Sequence, residues 1–135
     1  MKRMRQAGFT LVELLTVIAI IALLAALILG LAGNAQKSAA RNKAEAEIEQ
    51  LSVFITDYQM KYGQVPSSTA ALAKELADEH HALTNATDAT LMPEDPWGMA
   101  YVYTNSSKAT FYLWSYGGDL APLTNKAIWI GNPAP

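Results

Sequence analysis

Phe9-Thr10-Leu11-Val12-Glu13-Leu14-Leu15-Thr16-Val17-Ile18-Ala19-Ile20-Ile21-Ala22-Leu23-Leu24-Ala25-Ala26-Leu27-Ile28-Leu29-Gly30-Leu31-Ala32 is the stretch that decides the fold. As a helix rising about 1.5 Å per residue, its roughly 24 residues reach about 36 Å, enough to cross a hydrocarbon core of about 30 Å with some tilt. The reading is a membrane-spanning helix. Lys2, Arg3 and Arg5 precede the run and no basic residue falls within it. The positive-inside bias therefore leaves the N-terminus in the cytoplasm and sends everything after Gly33 across the membrane. One carboxylate, Glu13, interrupts the apolar run. An ionised side chain costs about 2.5–3.5 kcal/mol at the centre of a span, and less toward an interface, unless a partner compensates it. Glu13 is therefore either paired or functional.

A secretory signal peptide also opens with basic residues before an apolar stretch, but its apolar region is about 7–15 residues long and a small-residue cleavage site follows it. Here the small pair Ala7-Gly8 comes before the run. A cut at that point would remove the basic leader and leave the span as the new N-terminus.

Gly8-Phe9-Thr10-Leu11-Val12-Glu13, with its basic leader and following apolar helix, resembles the class III signal of type IV pilins and type II secretion pseudopilins. The resemblance implies that a prepilin peptidase cuts after Gly8 and methylates the new N-terminal residue, Phe9. It makes Glu13 the assembly residue, the acid at the fifth mature position. Cleavage would create a cationic amine on Phe9, and a carboxylate in the apolar interior of a filament would be offset by the amine of a neighbouring subunit. Misplacing a subunit would leave two unpaired charges in a low-dielectric setting, so the pair would set register between helices. The alternative is that Glu13 snorkels to the interface or pairs within its own chain.

Composition suits one small domain on a stalk. Of 135 residues, about 30 go to the membrane and roughly 100 remain, ordinary for a single domain. Three of the ten basic residues lie in the leader, leaving seven against twelve acids, a formal balance of −5 before the terminal amine is counted. That acidic balance argues against nucleic acid as a partner. The absence of cysteine rules out a disulfide staple.

Gly30, Gly33 and Asn34 are weak helix formers and mark the membrane exit. Many relatives of the resembled family place proline where Gly30 stands, and glycine would soften the segment without forcing a kink. From Ala35 to Tyr62 a second helical pattern takes over, with Ala44, Ile48, Leu51, Ile55, Tyr58 and Tyr62 drawing one apolar stripe at steps of four and three. Arg41 with Glu45 and Lys43 with Glu47 are spaced for contacts on that helix. The helix should end at Gly63. Val65-Pro66-Ser67-Ser68 then makes an extended turn before Thr69 caps a shorter helix from Ala70 to about Glu79.

The C-terminal third gives strands. Ala100 to Thr104 and Thr110 to Ser115 are aromatic and β-branched runs flanking the polar turn Asn105-Ser106-Ser107-Lys108, and so read as a hairpin. Ala127-Ile128-Trp129-Ile130 reads as a third, edge strand, ended by the breaker Gly131-Asn132-Pro133. The fold class is α+β: a long N-terminal helix, membrane-spanning in its first half, packed on a small three-stranded antiparallel sheet with a short helix in the connection. The expected division is residues 1–8 as cleaved leader, 9–33 as the transmembrane and filament-core helix, and 34–135 as the exported domain.

Lys61-Tyr62-Gly63-Gln64-Val65-Pro66-Ser67, Asp95-Pro96-Trp97-Gly98 with Tyr101-Val102-Tyr103, and Phe111-Tyr112-Leu113-Trp114-Ser115-Tyr116-Gly117-Gly118-Asp119 are similar to stretches of the G-type major pseudopilins. That resemblance implies a calcium-binding loop, with Asp119 as one ligand and a second aspartate near the end of the chain. Here Ala127-Ile128-Trp129-Ile130-Gly131-Asn132 carries no acid, and Leu120-Ala121-Pro122-Leu123-Thr124-Asn125 adds only backbone carbonyls, Thr124 and Asn125. Calcium takes six to eight oxygens, usually with more than one carboxylate. The favoured reading is a proline-stiffened turn needing no metal, with Asp119 as a calcium ligand the alternative.

Other chemical signals are poor. His80 and His81 are adjacent, so on a helix their side chains diverge by about 100° and do not readily share a metal. Asp95 beside Pro96 and Trp97 reads as turn chemistry with a tryptophan anchor. No nucleophile, base and acid arrangement, phosphate loop or zinc spacing appears, so the chain does not read as an enzyme. Two functions remain. The first is a structural subunit of a type II secretion pseudopilus or related pilus-like filament, partnered by copies of itself, prepilin peptidase, an inner-membrane assembly platform and minor pseudopilins. It would sit as a single-pass inner-membrane protein with a periplasmic C-terminal domain before assembly. The second is a membrane-anchored, non-polymerising binding module presenting Tyr101, Tyr103, Tyr112, Trp114 and Tyr116. Alternation along the strands places most of those aromatics in the core rather than on a platform.

Overall fold

The computed structural model describes residues 9–119 and 125–133, and in these the order is helix, helix and three strands. The first helix, α1 (Leu11–Tyr62), is continuous through Gly30 and Gly33. Neither glycine has a neighbour within 4 Å of where a Cβ would stand, so no packing contact demands glycine there. The chain divides between Lys37 and Ser38 into two units. In the first unit the large apolar side chains from Phe9 to Leu29 are exposed, and the helix is long and apolar enough to cross a membrane.

In the second unit the apolar stripe does what its spacing requires. Ala44, Ile48, Leu51 and Ile55 are buried and share one core with Val65, Leu72, Ala73, Leu76, Met92, Tyr101, Tyr103, Leu113 and Ile130. Tyr58 and Tyr62 lie at the margin of that stripe, Tyr62 exposed and in contact with Tyr58 at 4.4 Å between ring centroids. The helix stops at Gly63, whose φ of 74° suits glycine and whose N–H donates to the Gln59 carbonyl at 2.8 Å. Arg41 Nε meets Glu45 Oε1 at 3.0 Å, and Lys43 Nζ meets Glu47 Oε1 at 3.7 Å, both in the spacing read from the sequence.

The short helix, α2 (Thr69–Asp78), is capped one residue earlier than expected. Ser68 has extended backbone and its Oγ accepts from Ala71 N at 3.1 Å. Thr69 instead donates its hydroxyl to the Tyr103 carbonyl at 3.0 Å, tying α2 to the sheet. At the other end His80 adopts a φ of 52°. Its N–H donates to Ala77 O at 3.0 Å and that of His81 to Leu76 O at 2.9 Å, so the carbonyls left over at the end of the helix are satisfied.

The sheet has the order β1 (Val102–Asn105), β2 (Phe111–Ser115) and β3 (Ile130–Asn132), antiparallel throughout, with Tyr103 opposite Leu113 and Trp114 opposite Gly131. The strand bounds need correction: Asn105, expected in the turn, ends β1 opposite Phe111, where β2 begins. The first strand begins at Val102, because Ala100 pairs with Glu94 in an isolated bridge. The third begins at Ile130, because Ala127 and Ile128 form a turn, with Ile128 N donating to Asn125 O at 3.1 Å. Gly131 is therefore part of the strand and no breaker. Its φ is 106°, and a Cβ there would stand 2.4 Å from Leu113 O, so the close pairing of β2 with β3 requires glycine.

Candidate functional site

At the membrane end, Thr10 and Glu13 are joined by reciprocal hydrogen bonds. Thr10 precedes the first helical residue and Glu13 is third in the helix, the spacing of a capping box. Glu13 N donates to Thr10 Oγ1 at 3.3 Å, while Thr10 N and Thr10 Oγ1 donate to Glu13 Oε2 at 2.9 and 2.7 Å. Backbone N–H groups at the start of a helix have no partner within the helix, and in lipid each one left unpaired costs several kcal/mol. A carboxylate in the first turn also suits the positive end of the helix dipole. Within one chain, then, the Glu13 carboxylate accepts two hydrogen bonds from Thr10 through one of its oxygens. Oε1 makes no hydrogen bond among the described residues. Phe9 is exposed, and Gly8 lies outside the described residues. Thr10 was missed as a functional residue, although its signal, threonine three residues before a glutamate and at the start of an apolar run, stands in the sequence.

The turn from Asp95 to Gly98 anchors the sheet end of the domain. Asp95 is buried, its Oδ1 accepting from Trp97 N at 3.0 Å and Met99 N at 2.9 Å, and its Oδ2 from the buried Ser115 Oγ at 2.5 Å. The carboxylate thus satisfies its own turn and clamps it to β2. Trp97 lies over Gly118, where a Cβ would come within 2.9 Å of the indole.

Asp119 sits at the start of the loop after β2. Its Oδ2 accepts from Asn125 N at 3.0 Å and from Trp129 Nε1 at 3.3 Å. Both neighbours are N–H donors, which offer a cation no lone pair, and no aspartate or glutamate follows Asp119 in the chain. Residues 120–124, with Thr124, lie outside the described residues. Trp129, read from sequence as a strand residue, is a further residue that sequence reasoning missed.

His80 is the left-handed residue closing α2, and His81 Nδ1 accepts from Leu83 N at 3.1 Å while its ring stands edge-on to Phe54. The two do not converge, and among the described residues no group of three or more His, Cys, Asp or Glu could hold a metal. His81 borders an open groove of about 420 Å³ with Ala46, Glu49, Val53, Phe54 and Asp57 on α1. Of the five aromatics considered as a platform, Tyr101, Tyr103 and Trp114 are buried. Tyr101 donates to Glu47 Oε2 at 2.6 Å and Tyr103 to Pro66 O at 2.7 Å. Burial, and then the Glu47 carboxylate, push the Tyr101 hydroxyl far above the usual tyrosine range, and burial pushes Tyr103 up to about 12.

Comparison with known proteins agrees with this layout. The family model described as Type II secretion system (T2SS), protein G matches residues 32–131, and that of the prokaryotic N-terminal methylation motif matches residues 3–29. The Type II secretion system core protein G of Dickeya chrysanthemi is 32% identical over 140 residues, covering 96% of this chain and 91% of that protein. The protein of the same name in Pseudomonas aeruginosa is 30% identical, covering 88% of each chain. That of Escherichia coli K12 is 33% identical, covering 85% of this chain and 83% of the relative. No solved structure gives a significant match. With a methylation motif over the apolar helix and the protein G match over the domain, the chain belongs to the type II secretion system protein G family, the G-type pseudopilins.

Proposed function

We propose that the chain is a non-enzymatic structural subunit that polymerises through its N-terminal helix into a secretion pseudopilus or related filament driving protein export. One observation carries this reading: the exposed apolar stretch of α1 from Leu11 to Leu29, long enough to cross a membrane, bears a single carboxylate, Glu13, whose Oε1 has no hydrogen-bond partner among the described residues. Before assembly the subunit would sit in the inner membrane, N-terminus cytoplasmic and C-terminal domain periplasmic. Prepilin peptidase cuts after Gly8 and methylates Phe9. An inner-membrane platform and minor pseudopilins then bring subunits together, and Glu13 of one receives the Phe9 amine of the next. The capping box shields the carboxylate until then, since Oε2 serves Thr10 and Oε1 is left to meet a cation. An anchor alone has no need of that carboxylate, and the burial of Tyr101, Tyr103 and Trp114 removes most of the platform a binding module would use.

Glu13→Ala tests this, with filament yield scored beside protease resistance of the exported domain. Among the described residues the Glu13 carboxylate is bonded by Thr10 alone, and Thr16 Oγ1 donates to the Glu13 backbone carbonyl, which alanine keeps, so the variant should be inserted, cleaved and folded, yet assemble poorly. Normal filament yield from Glu13→Ala would remove the pairing mechanism. A protease-sensitive domain would move Glu13 from assembly to folding.

A further inference from the structure

We infer that His81 is a proton-operated pin for the turn that follows α2: neutral, its ring holds the turn closed, and protonated, it releases the turn and swings its charge toward carboxylates on α1. Three bonds fix the neutral position. His81 N donates to Leu76 O at 2.9 Å, its carbonyl accepts from Thr84 N at 2.9 Å, and its Nδ1 accepts from Leu83 N at 3.1 Å. Thr84 Oγ1 also donates to Leu76 O at 2.9 Å. Among these bonds only the one to Nδ1 depends on charge. A ring nitrogen that accepts a backbone N–H carries no proton, so the ring proton sits on Nε2. An imidazolium has a donor at each nitrogen and no acceptor for an amide. Protonation therefore sets the Leu83 N–H against a ring N–H, and Leu83 is the partly buried residue that packs this turn against the core.

The groove beside the ring supplies the second position. His81 lines it together with Glu49, Val53, Phe54 and Asp57 of α1. Among the described residues neither Glu49 nor Asp57 forms an ion pair or accepts a side-chain hydrogen bond, so both carboxylates are open to a new cation. The other charges near the ring are already engaged or turned elsewhere. Lys61 of α1 is held by Glu79 at the end of α2 at 2.8 Å, and His80 Nδ1 lies 3.2 Å from the Asp78 carbonyl. Residues 82–87 carry no charge, and the Asp88 carboxylate accepts from Thr90. The ring stands edge-on to Phe54 with 5.2 Å between centroids, an apolar surface against which it can turn from Leu83 to the acids. Acid thus opens the exit of α2 and fills the groove with a cation. The pin lies within the exported domain and stands apart from whether subunits polymerise.

The test is a proton–nitrogen NMR titration of the isotopically labelled full chain in detergent micelles, from about pH 8 to about 4.5, the range in which imidazoles change charge. The ring resonances of His81 report its charge, and the Leu83 amide resonance should move upfield with the same midpoint, following His81 and not His80. At the acid end the Leu83 amide should exchange about tenfold faster than it does in His81→Asn at the same pH, because the asparagine Oδ1 stands in for Nδ1 and takes no proton. His81→Phe, which has no acceptor, should leave that amide in fast exchange throughout. A Leu83 amide that stays in place while His81 titrates, one that follows a different midpoint, or an equal acid shift in His81→Asn would each overturn the pin. The wild-type titration needs no variant, so it decides the matter even where a substitution fails to fold.

Discussion

Removing the Asp95 carboxylate should be among the most damaging single changes to the exported domain. In Asp95→Ala, the amides of Trp97 and Met99 lose their acceptor and the Ser115 hydroxyl loses the partner it donates to. Ser115 is fully buried and Asp95 nearly so, while Trp97 and Met99 are half-buried, so water can replace only part of what is lost. An orphaned buried donor costs about 1–3 kcal/mol, and taking the two half-buried amides at the low end gives a total of about 3–5 kcal/mol. Asp95→Asn is the control. It keeps size and the Oδ1 acceptor for both amides, and puts an NH₂ toward Ser115 Oγ, which can turn to accept it, for a loss of about 1 kcal/mol. For a domain of this size, about 4–8 °C accompanies each kcal/mol. Thermal unfolding followed by tryptophan fluorescence should therefore show Asp95→Ala lower by about 15–30 °C and Asp95→Asn by less than about 10 °C. An Ala variant within a few degrees of wild type, or an Asn variant as damaged as Ala, would refute the reasoning.

Replacing Gly8 with a bulky residue should leave uncut precursor in the inner membrane, and intact mass spectrometry checks this; a native mature chain that starts anywhere but Phe9 would contradict it. His80→Gly should stabilise the domain by about 1 kcal/mol, since glycine takes the left-handed conformation freely, and denaturant melts would read it. Tyr103 ionises at about 10 when unfolded and about 12 when folded, so its contribution is intact below pH 10 and is lost as pH rises through 12, with a falling slope of up to about 1.4 kcal/mol per pH unit. Unfolding at pH 9 to 12 reads that slope on top of the one from Tyr101, and Tyr103→Phe, which removes one of the two raised hydroxyls, should make the fall shallower while leaving the Tyr101 part in place.

What could be read in the sequence followed from short-range periodicity. The stripe from Ala44 to Ile55 is legible because one helix face repeats every three to four residues, and Gly63 because few other residues tolerate its φ. The errors arose where distant partners decide. The Ile128-Trp129-Ile130 triplet has the propensity of a strand, yet Trp129 lies outside it, with its indole between Asp119 and the aromatic rings of Trp114 and Tyr116. Gly131 carries the signature of a breaker, and only the approach of Leu113 O shows that it is a strand residue. Tyr101 and Glu47 lie 54 residues apart, a separation no local pattern reports. At the site, Gly8, Phe9 and Glu13 were legible as a motif, whereas the engagement of Glu13 by Thr10 needed the backbone geometry of the helix start.

Helical reconstruction by electron microscopy of fibres sheared from cells expressing the chain with its secretion machinery tests the central claim most directly. The account predicts filaments in which the Phe9 amine of each subunit lies within about 4 Å of the Glu13 carboxylate of a neighbouring copy. Filaments in which every Glu13 remains bound to its own Thr10, with the Phe9 amine elsewhere, would contradict it.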